Sequence, residues 1–426
     1  MRRFHGTKFA QWYAMTHSPS ASDADVLIAG GGMVGLSLAL ALAQGGVSVT
    51  VADPIPESTL VNEAFDGRVS ALSYAAVRMF KTLGIWTHLE ADAQPILDIL
   101  VTDAALDSTP SPFSMHFHHR EIGEPIGAIA ENRHIRRALF AAVREAANIA
   151  LISPAAVNAV AIRGEYTHAQ LSNGSALRAK LVVAADGRDS PLREQMGLRT
   201  IAWSYPQVGI VATVRHERDH KGVAYEHFLP SGPFAILPMT GNRSSLVWTE
   251  RETLAPALLK LAPEQFAAEV ARRFGNHLGA IEVVGPRWSY PLRFHLTRGW
   301  IAPRFALAGD SAHGIHPIAG QGLNLGLKDA AALAECVLEM VRLGLDAGTA
   351  EGLRQYERWR RFDSFALAAA TDGLNRLFSN DIAPLRVIRD LGLGIVDAVG
   401  PLRRFFMRNA GGDLGKLPRL MRGEPA

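Results

Sequence analysis

One cysteine, Cys336, occurs in 426 residues, so no disulfide can form within the chain and no cysteine pair can carry electrons. Its place among Ala331, Ala334 and Leu338 reads as core packing. No dense basic tract is interleaved with aromatics, and the net charge of +3 with a pI near 9.1 is too mild to imply a nucleic-acid partner. No Ser-His-Asp or Cys-His set is apparent, and no internal repeat. The one long uncharged stretch, between Asp25 and Asp53, is broken by Gly30-Gly31-Gly32 and Gly45-Gly46, and it closes on the alternating Val47, Val49 and Val51. Strand and helix separated by glycine turns fit it better than a membrane span. With 48% hydrophobic residues, the chain is long enough to bury two or three cores.

What is present is a set of glycine-rich loops at the ends of apolar strands. The first is Gly30-x-Gly32-x-x-Gly35, between the strand from Asp25 and a helix over Leu36–Ala43, with Asp53 closing the next strand. Gly30 allows the tight turn, Gly32 lets a pyrophosphate approach the helix amides, Gly35 lets helix pack on strand, and Asp53 suits ribose hydroxyls. The pattern alone serves FAD or NAD. The second loop is Asp186-Gly187-Arg188, after Leu181–Ala185 and before a helix with Pro191 in its first turn. The third is Gly309-Asp310, after Phe305–Ala308. It leads to Gly320-Gln-Gly322-Leu323-Asn324 and a helix whose apolar face is Leu327, Ala331, Ala334, Leu338 and Val341, stopped by Gly344. Asp310 can accept hydrogen bonds from a sugar hydroxyl, and the amides at Gly320 and Gly322 gather partial positive charge.

Three such loops in this order resemble the class A flavoprotein monooxygenases of the aromatic-hydroxylase type, from about Ala24 onward. Asp66-Gly-Arg68, Glu131-Asn-Arg133-His-Ile-Arg136, His316-Pro317 to Asp329 and Ala370–Asn380 are further similar to the ubiquinone-biosynthesis hydroxylases. The resemblance implies an α/β fold: a Rossmann-like FAD-binding domain of the glutathione-reductase type, an inserted mixed or antiparallel substrate sheet, and C-terminal helices. The boundaries expected are a disordered lead over 1–22, an FAD-binding domain from 23–95, 125–200 and 300–345, a substrate domain from 96–124 and 201–299, and a helical region over 346–426. FAD is the implied cofactor. Its contacts would come from Gly30, Gly32, Gly35, Asp53, Arg68, Arg133, Asp186, Gly187, Gly309, Asp310, Gly320, Gly322, Leu323 and Asn324. Amides at Gly322, Leu323 and Asn324 would support the flavin pyrimidine ring, with Pro317 a further candidate beside it. The resemblance implies hydroxylation of a polyprenylated phenol or benzoquinol by way of a C4a-hydroperoxyflavin, using O2 and electrons from NAD(P)H or a ferredoxin-like carrier. A ubiquinone-biosynthesis complex is a further partner. Alternatives are a flavin oxidoreductase of another aromatic or isoprenoid substrate, and a non-catalytic flavin-fold subunit.

Several segments stay open on sequence. His313-x-x-His316 has a metal-like spacing but no third ligand, and no metal is expected. Tyr205–Glu250 alternates as an antiparallel sheet, with Phe228, Phe234, Leu237 and Trp248 suited either to an apolar pocket or to plain core. Arg403, Arg404 and Arg408 around Phe405-Phe406, after the apolar stretch Leu391–Leu402, suit an anionic membrane surface, a partner, or an ordinary closing helix. The first residues carry Arg2, Arg3 and Lys8 without an acid, and Met15 is an alternative start. The location implied is cytoplasmic, at the periphery of the inner membrane, or on the mitochondrial matrix side in a eukaryote.

Overall fold

A computed structural model describes residues 24–62, 64–103, 114–315, 320–378, 399–413 and 415–426. The lead over 1–22, His316, Pro317 and the apolar stretch over 391–398 lie outside the described residues.

The first sheet is built on Ala24–Ala29, whose β-branched and leucine side chains are buried on both faces, as a central parallel strand requires. Val49–Ala52 pairs on one side and Ala176–Ala184 on the other, both parallel, and Phe305–Leu307 joins beyond the latter, again parallel. Ala29 stands opposite both Ala184 and Ala52, and Ala184 stands opposite Leu307. Four strands therefore end level with one another, and the loops that follow them open on one edge. That register brings Gly30, Asp53, Asp186 and Gly309 together from across 280 positions of chain.

The Met33–Gln44 and Gln321–Arg342 helices pack on each other through small residues. Val34 sits between Gly309 and Gly326; a Cβ on Gly326 would come within 2.6 Å of it. The second helix starts two residues before Leu323 and ends before Gly344, which takes a φ of +70°. Cys336 is buried in it, and burial pushes its thiol up to about 12.

The long sheet runs, in spatial order, His313–Gly314, Ile281–Thr297, Thr200–His216, Arg243–Arg251, Gly232–Met239, Val223–Leu229, Asp98–Asp103 and Ser114–His118. Its pairs are antiparallel except Val223–Leu229 with Asp98–Asp103. One face packs on the Pro263–Phe274 helix through Phe234, Trp248, Phe266 and Val270. The other face is turned toward the loop edge of the first sheet. A small sheet of Val69–Ser73, Gly127–Glu131 and Ala93–Ile96 bridges the two. The Ala350–Phe378 helix lies against the Gln321–Arg342 helix, and Leu420 and Met421 return to the main core.

Candidate active site

The loop edge and the long sheet enclose a cavity of about 1260 Å³. Ligand pockets typically measure roughly 300–1,000 Å³, so this one has room for more than a single small molecule. Its two halves differ in chemistry. One is lined by Gly30, Gly32, Asp53, Asp186, Gly187 and Asp310, with the start of the Gln321–Arg342 helix; the other by Val101, Met115, Phe117, Phe228 and Leu237.

The glycines of the first loop do different work. Gly30 has a φ of +111°, and a Cβ there would lie 2.3 Å from the Ala185 carbonyl; a Cβ on Gly35 would lie 2.0 Å from the Gly30 carbonyl. Both are demanded by the fold. Gly32, with a φ of −73°, would meet no protein atom within 4 Å. Its bareness serves the cavity. Asp53 is buried, its Oδ2 accepting from the Gly31 amide at 2.6 Å and its Oδ1 from the Ile55 amide at 2.7 Å, so it shapes the loop as well as facing the cavity.

Asp186 carries both carboxylate oxygens buried without a geometric hydrogen-bond partner, and burial raises its proton affinity despite nearby polar groups at Ser190 and Leu192. An unpartnered carboxylate facing a cavity needs a ligand or water there. Arg193 ties this loop to the third, donating to the carbonyls of Arg188 at 2.8 Å and Ser311 at 2.9 Å. Ser311 in turn donates to Ala184 at 2.6 Å. Asp310 points into the cavity with its carboxylate exposed, while its carbonyl accepts from His295 Nε2 at 2.8 Å. Burial above all lowers His295 to about 4, so the ring is neutral and Nε2 holds the donated proton.

Gly320 begins the following helix at a φ of +63°, and Gly322 opens on space. The first-turn amides at Gly322 and Leu323 lie where the two halves meet. Asn324 lines the wall, but its side chain is spoken for: Oδ1 accepts from the Ser73 amide at 3.0 Å and Nδ2 donates to the Ala71 carbonyl at 2.9 Å.

Two of the expected arginines have acidic neighbours. Arg68 is exposed and paired with Asp66 at 2.6 Å, and Arg133 donates to Glu131 at 2.8 Å with its guanidinium over the Phe65 ring. Neither is among the residues that line the cavity. Arg136, one helical turn beyond Arg133, takes the wall instead; burial, then the neighbouring Arg68 charge, lowers its proton affinity. The aromatic candidates divide by strand alternation. Phe228 and Leu237 face the cavity, whereas Phe234 and Trp248 are core beneath the sheet.

Sequence reasoning missed the buried ion network behind the third loop. Asp329 Oδ2 accepts from the Gly309 amide at 3.1 Å and lies 2.6 Å from His313 Nε2, and Oδ1 accepts from Arg360 Nε at 2.9 Å. Asp363 accepts from Arg360 and from Lys328, each at 2.9 Å. Through Nε2, His313 is thus part of this network. The only signal was Lys328-Asp329 in an apolar helix. Away from the cavity, Asp98, His118 and His119 bring possible ligand atoms within 4.8 Å of one another.

Glycines that leave room for phosphate, first-turn amides, and carboxylates at parallel strand ends fit a bound dinucleotide carrying an isoalloxazine ring. The chain belongs to the FAD-binding-domain family, whose model matches residues 23–368. It is an FAD-dependent monooxygenase, and the fold agrees: the solved p-nitrophenol 4-monooxygenase PnpA from Pseudomonas putida superposes with a TM-score of 0.75 at 18% identity, over 92% of this chain and 99% of that one. Within the family it belongs with the ubiquinone-biosynthesis hydroxylases. It is 50% identical over 406 residues to ubiquinone hydroxylase UbiL of Rhodospirillum rubrum, covering 94% of this chain and 93% of the relative. To 3-demethoxyubiquinol 3-hydroxylase of Escherichia coli it is 33% identical over 403 residues, 93% of this chain and 99% of the relative.

Proposed function

We propose that this chain hydroxylates the aromatic ring of a polyprenylated phenol or benzoquinol precursor of ubiquinone. The observation that carries it is the joining of a dinucleotide-type loop edge to an apolar sheet wall in one cavity. Bound FAD supplies the activation of O2 and the delivery of one oxygen atom to carbon. The chain's own residues do the rest. Gly32 and the helix amides after it would hold the pyrophosphate, Asp53 the adenosine ribose, Asp310 the ribityl hydroxyls, and the Gly322 and Leu323 amides negative charge on the pyrimidine ring. Arg136 would add positive charge in place of Arg68 and Arg133. The sheet wall keeps water from the reacting centre. With no second Gly-x-Gly-x-x-Gly in the sequence, NAD(P)H docks transiently or a ferredoxin-like carrier delivers the electrons.

Cells lacking the protein test the substrate directly. They are expected to accumulate a quinone precursor short of one ring hydroxyl, seen by mass spectrometry, and to recover on complementation. An unchanged quinone profile would reject the assignment.

A tailed substrate resides in the bilayer. Among the described residues no helix is long and apolar enough to cross one. The Ala350–Phe378 helix turns Leu367 and Thr371 to the cavity and leaves Phe362 (74% exposed) and Phe365 (59%) outside, near Arg358 and Arg361. This face suits an anionic bilayer better than the Gly400–Ala410 helix. There Arg403 pairs with Glu121 at 3.1 Å, Arg408 with Asp413 at 3.4 Å, and Met407 is core. Arg358 itself lies 3.9 Å from Glu351, and each basic residue near anionic lipid contributes about 1 kcal/mol. Cosedimentation with anionic vesicles is expected to weaken with salt and to drop severalfold when Phe362 and Phe365 become serine. Glutamine at 403, 404 and 408 should matter less. Binding unaffected by the serine pair would exclude this face.

A further inference from the structure

We propose that Glu226 binds the ring hydroxyl of the substrate and accepts its proton as the ring is oxidised, which makes it a catalytic residue of the apolar half of the cavity. The assignment rests on the phenol chemistry proposed above. Glu226 lies on the Val223–Leu229 strand with Ala224 and Phe228 to either side on the cavity face. Its cross-strand partners are Ala235 and Val101, and the next cavity-lining positions beside them are Pro233, Leu237 and Ile99.

Among the described residues nothing hydrogen-bonds or pairs with its carboxyl, and burial alone raises its proton affinity, to about 7. Of the titratable groups around it, Asp103 shares the cavity-side parity of the Asp98–Asp103 strand, two residues beyond Val101, and the Gly232–Met239 strand contributes none. Tyr225 points to the opposite face, against His277. Arg136, Asp186, Arg188, Asp310 and Tyr290 line other parts of the cavity and do not shift it. A lone carboxyl in an apolar wall costs stability that a leucine would not. A base poised near neutrality in a substrate cavity is what a hydroxyl proton requires.

The step balances without a further reagent. The O–H bond of the ring hydroxyl breaks, its proton passes to the Glu226 carboxylate, and its electron pair enters the ring. Electron density then rises at the ortho and para carbons, one of which takes the oxygen atom that the monooxygenase activity supplies. The C–H bond at that carbon then breaks, its electron pair restores the aromatic ring, its proton leaves to water, and Glu226 returns its own proton to the ring oxygen.

The full FAD-loaded chain is compared as wild type, Glu226→Gln and Glu226→Leu. Binding of 2-geranylphenol and its methyl ether is followed by perturbation of the flavin absorbance. Wild type is expected to prefer the phenol by about tenfold, glutamine to retain a preference through its amide oxygen, and leucine to lose it. The leucine variant should melt no lower than wild type, since it removes a lone carboxyl from an apolar wall. In single-turnover hydroxylation, the wild-type rate should rise with pH through about 7. Glutamine should flatten that limb and lower the plateau by on the order of a hundredfold. A glutamine variant with the wild-type plateau and limb, or a leucine variant that still prefers the phenol, overturns the assignment. Wild type that prefers the phenol through Glu226 yet hydroxylates no ubiquinone precursor would overturn the substrate instead, leaving the hydroxyl-binding role standing.

Discussion

A Gly32→Val variant is expected to purify folded and colourless. A Cβ there meets no protein atom within 4 Å and the backbone φ of −73° is open to valine, so the apoprotein should keep its fold. The branched carbons instead occupy the space in which a pyrophosphate would meet the helix amides. Two charge-assisted hydrogen bonds are worth about 3–6 kcal/mol together, or roughly a 10²–10⁴-fold loss of affinity. Flavin absorbance per protein and the circular dichroism spectrum, measured together, separate this outcome from misfolding. Gly35→Val provides the contrast, because a Cβ there collides with the Gly30 carbonyl and should cost the fold itself. Retained flavin in the Gly32 variant would place the cofactor elsewhere.

The second large effect concerns Asp329, which is fully buried with Arg360. Alanine at 329 leaves the guanidinium without its Oδ1 partner and the Gly309 amide without an acceptor. Breaking a buried pair from one side costs about 3–5 kcal/mol. Urea unfolding should show that loss. Weaker FAD binding should accompany it, because the loop carrying Asp310 is held from behind by this carboxylate. The effect depends on pH in a definite sense. Burial works against the charge on Asp329, but His313 and Arg360 outweigh it and hold the carboxyl below its usual range. A depressed folded value means the stabilisation is complete above the unfolded carboxylate value of about 3.9 and is lost as pH falls through the folded one. The stability gap between wild type and Asp329→Asn should therefore narrow only in strong acid. A gap that closes near neutrality would contradict the network.

How much of this could be read from the chain follows from where each determinant lies. The three glycine loops were legible because turn, strand end and helix start are local, and parallel pairing then leaves one way to gather them. The division of Phe228 and Leu237 from Phe234 and Trp248 was not, since alternation gives two faces and only the packed Pro263–Phe274 helix decides which is core. Arg133 and Arg136 sit in the same motif one turn apart, and the buried Glu131 that draws Arg133 away is a tertiary fact. The Asp329 network joins residues from a loop and two helices, so no window of sequence contains it. Glu226 did leave a trace, an acid between Ala224 and Phe228 on one face of a strand, but its isolation appears only once its neighbours are seen.

The most direct test of FAD-dependent ring hydroxylation supplies the purified, reduced protein with isotopically heavy O2 and a short-tailed polyprenylphenol, then weighs the product. One heavy oxygen atom on the ring, with none taken from water, is the expected result. A product whose new oxygen comes from water, or oxidised flavin with an unaltered phenol, would contradict it.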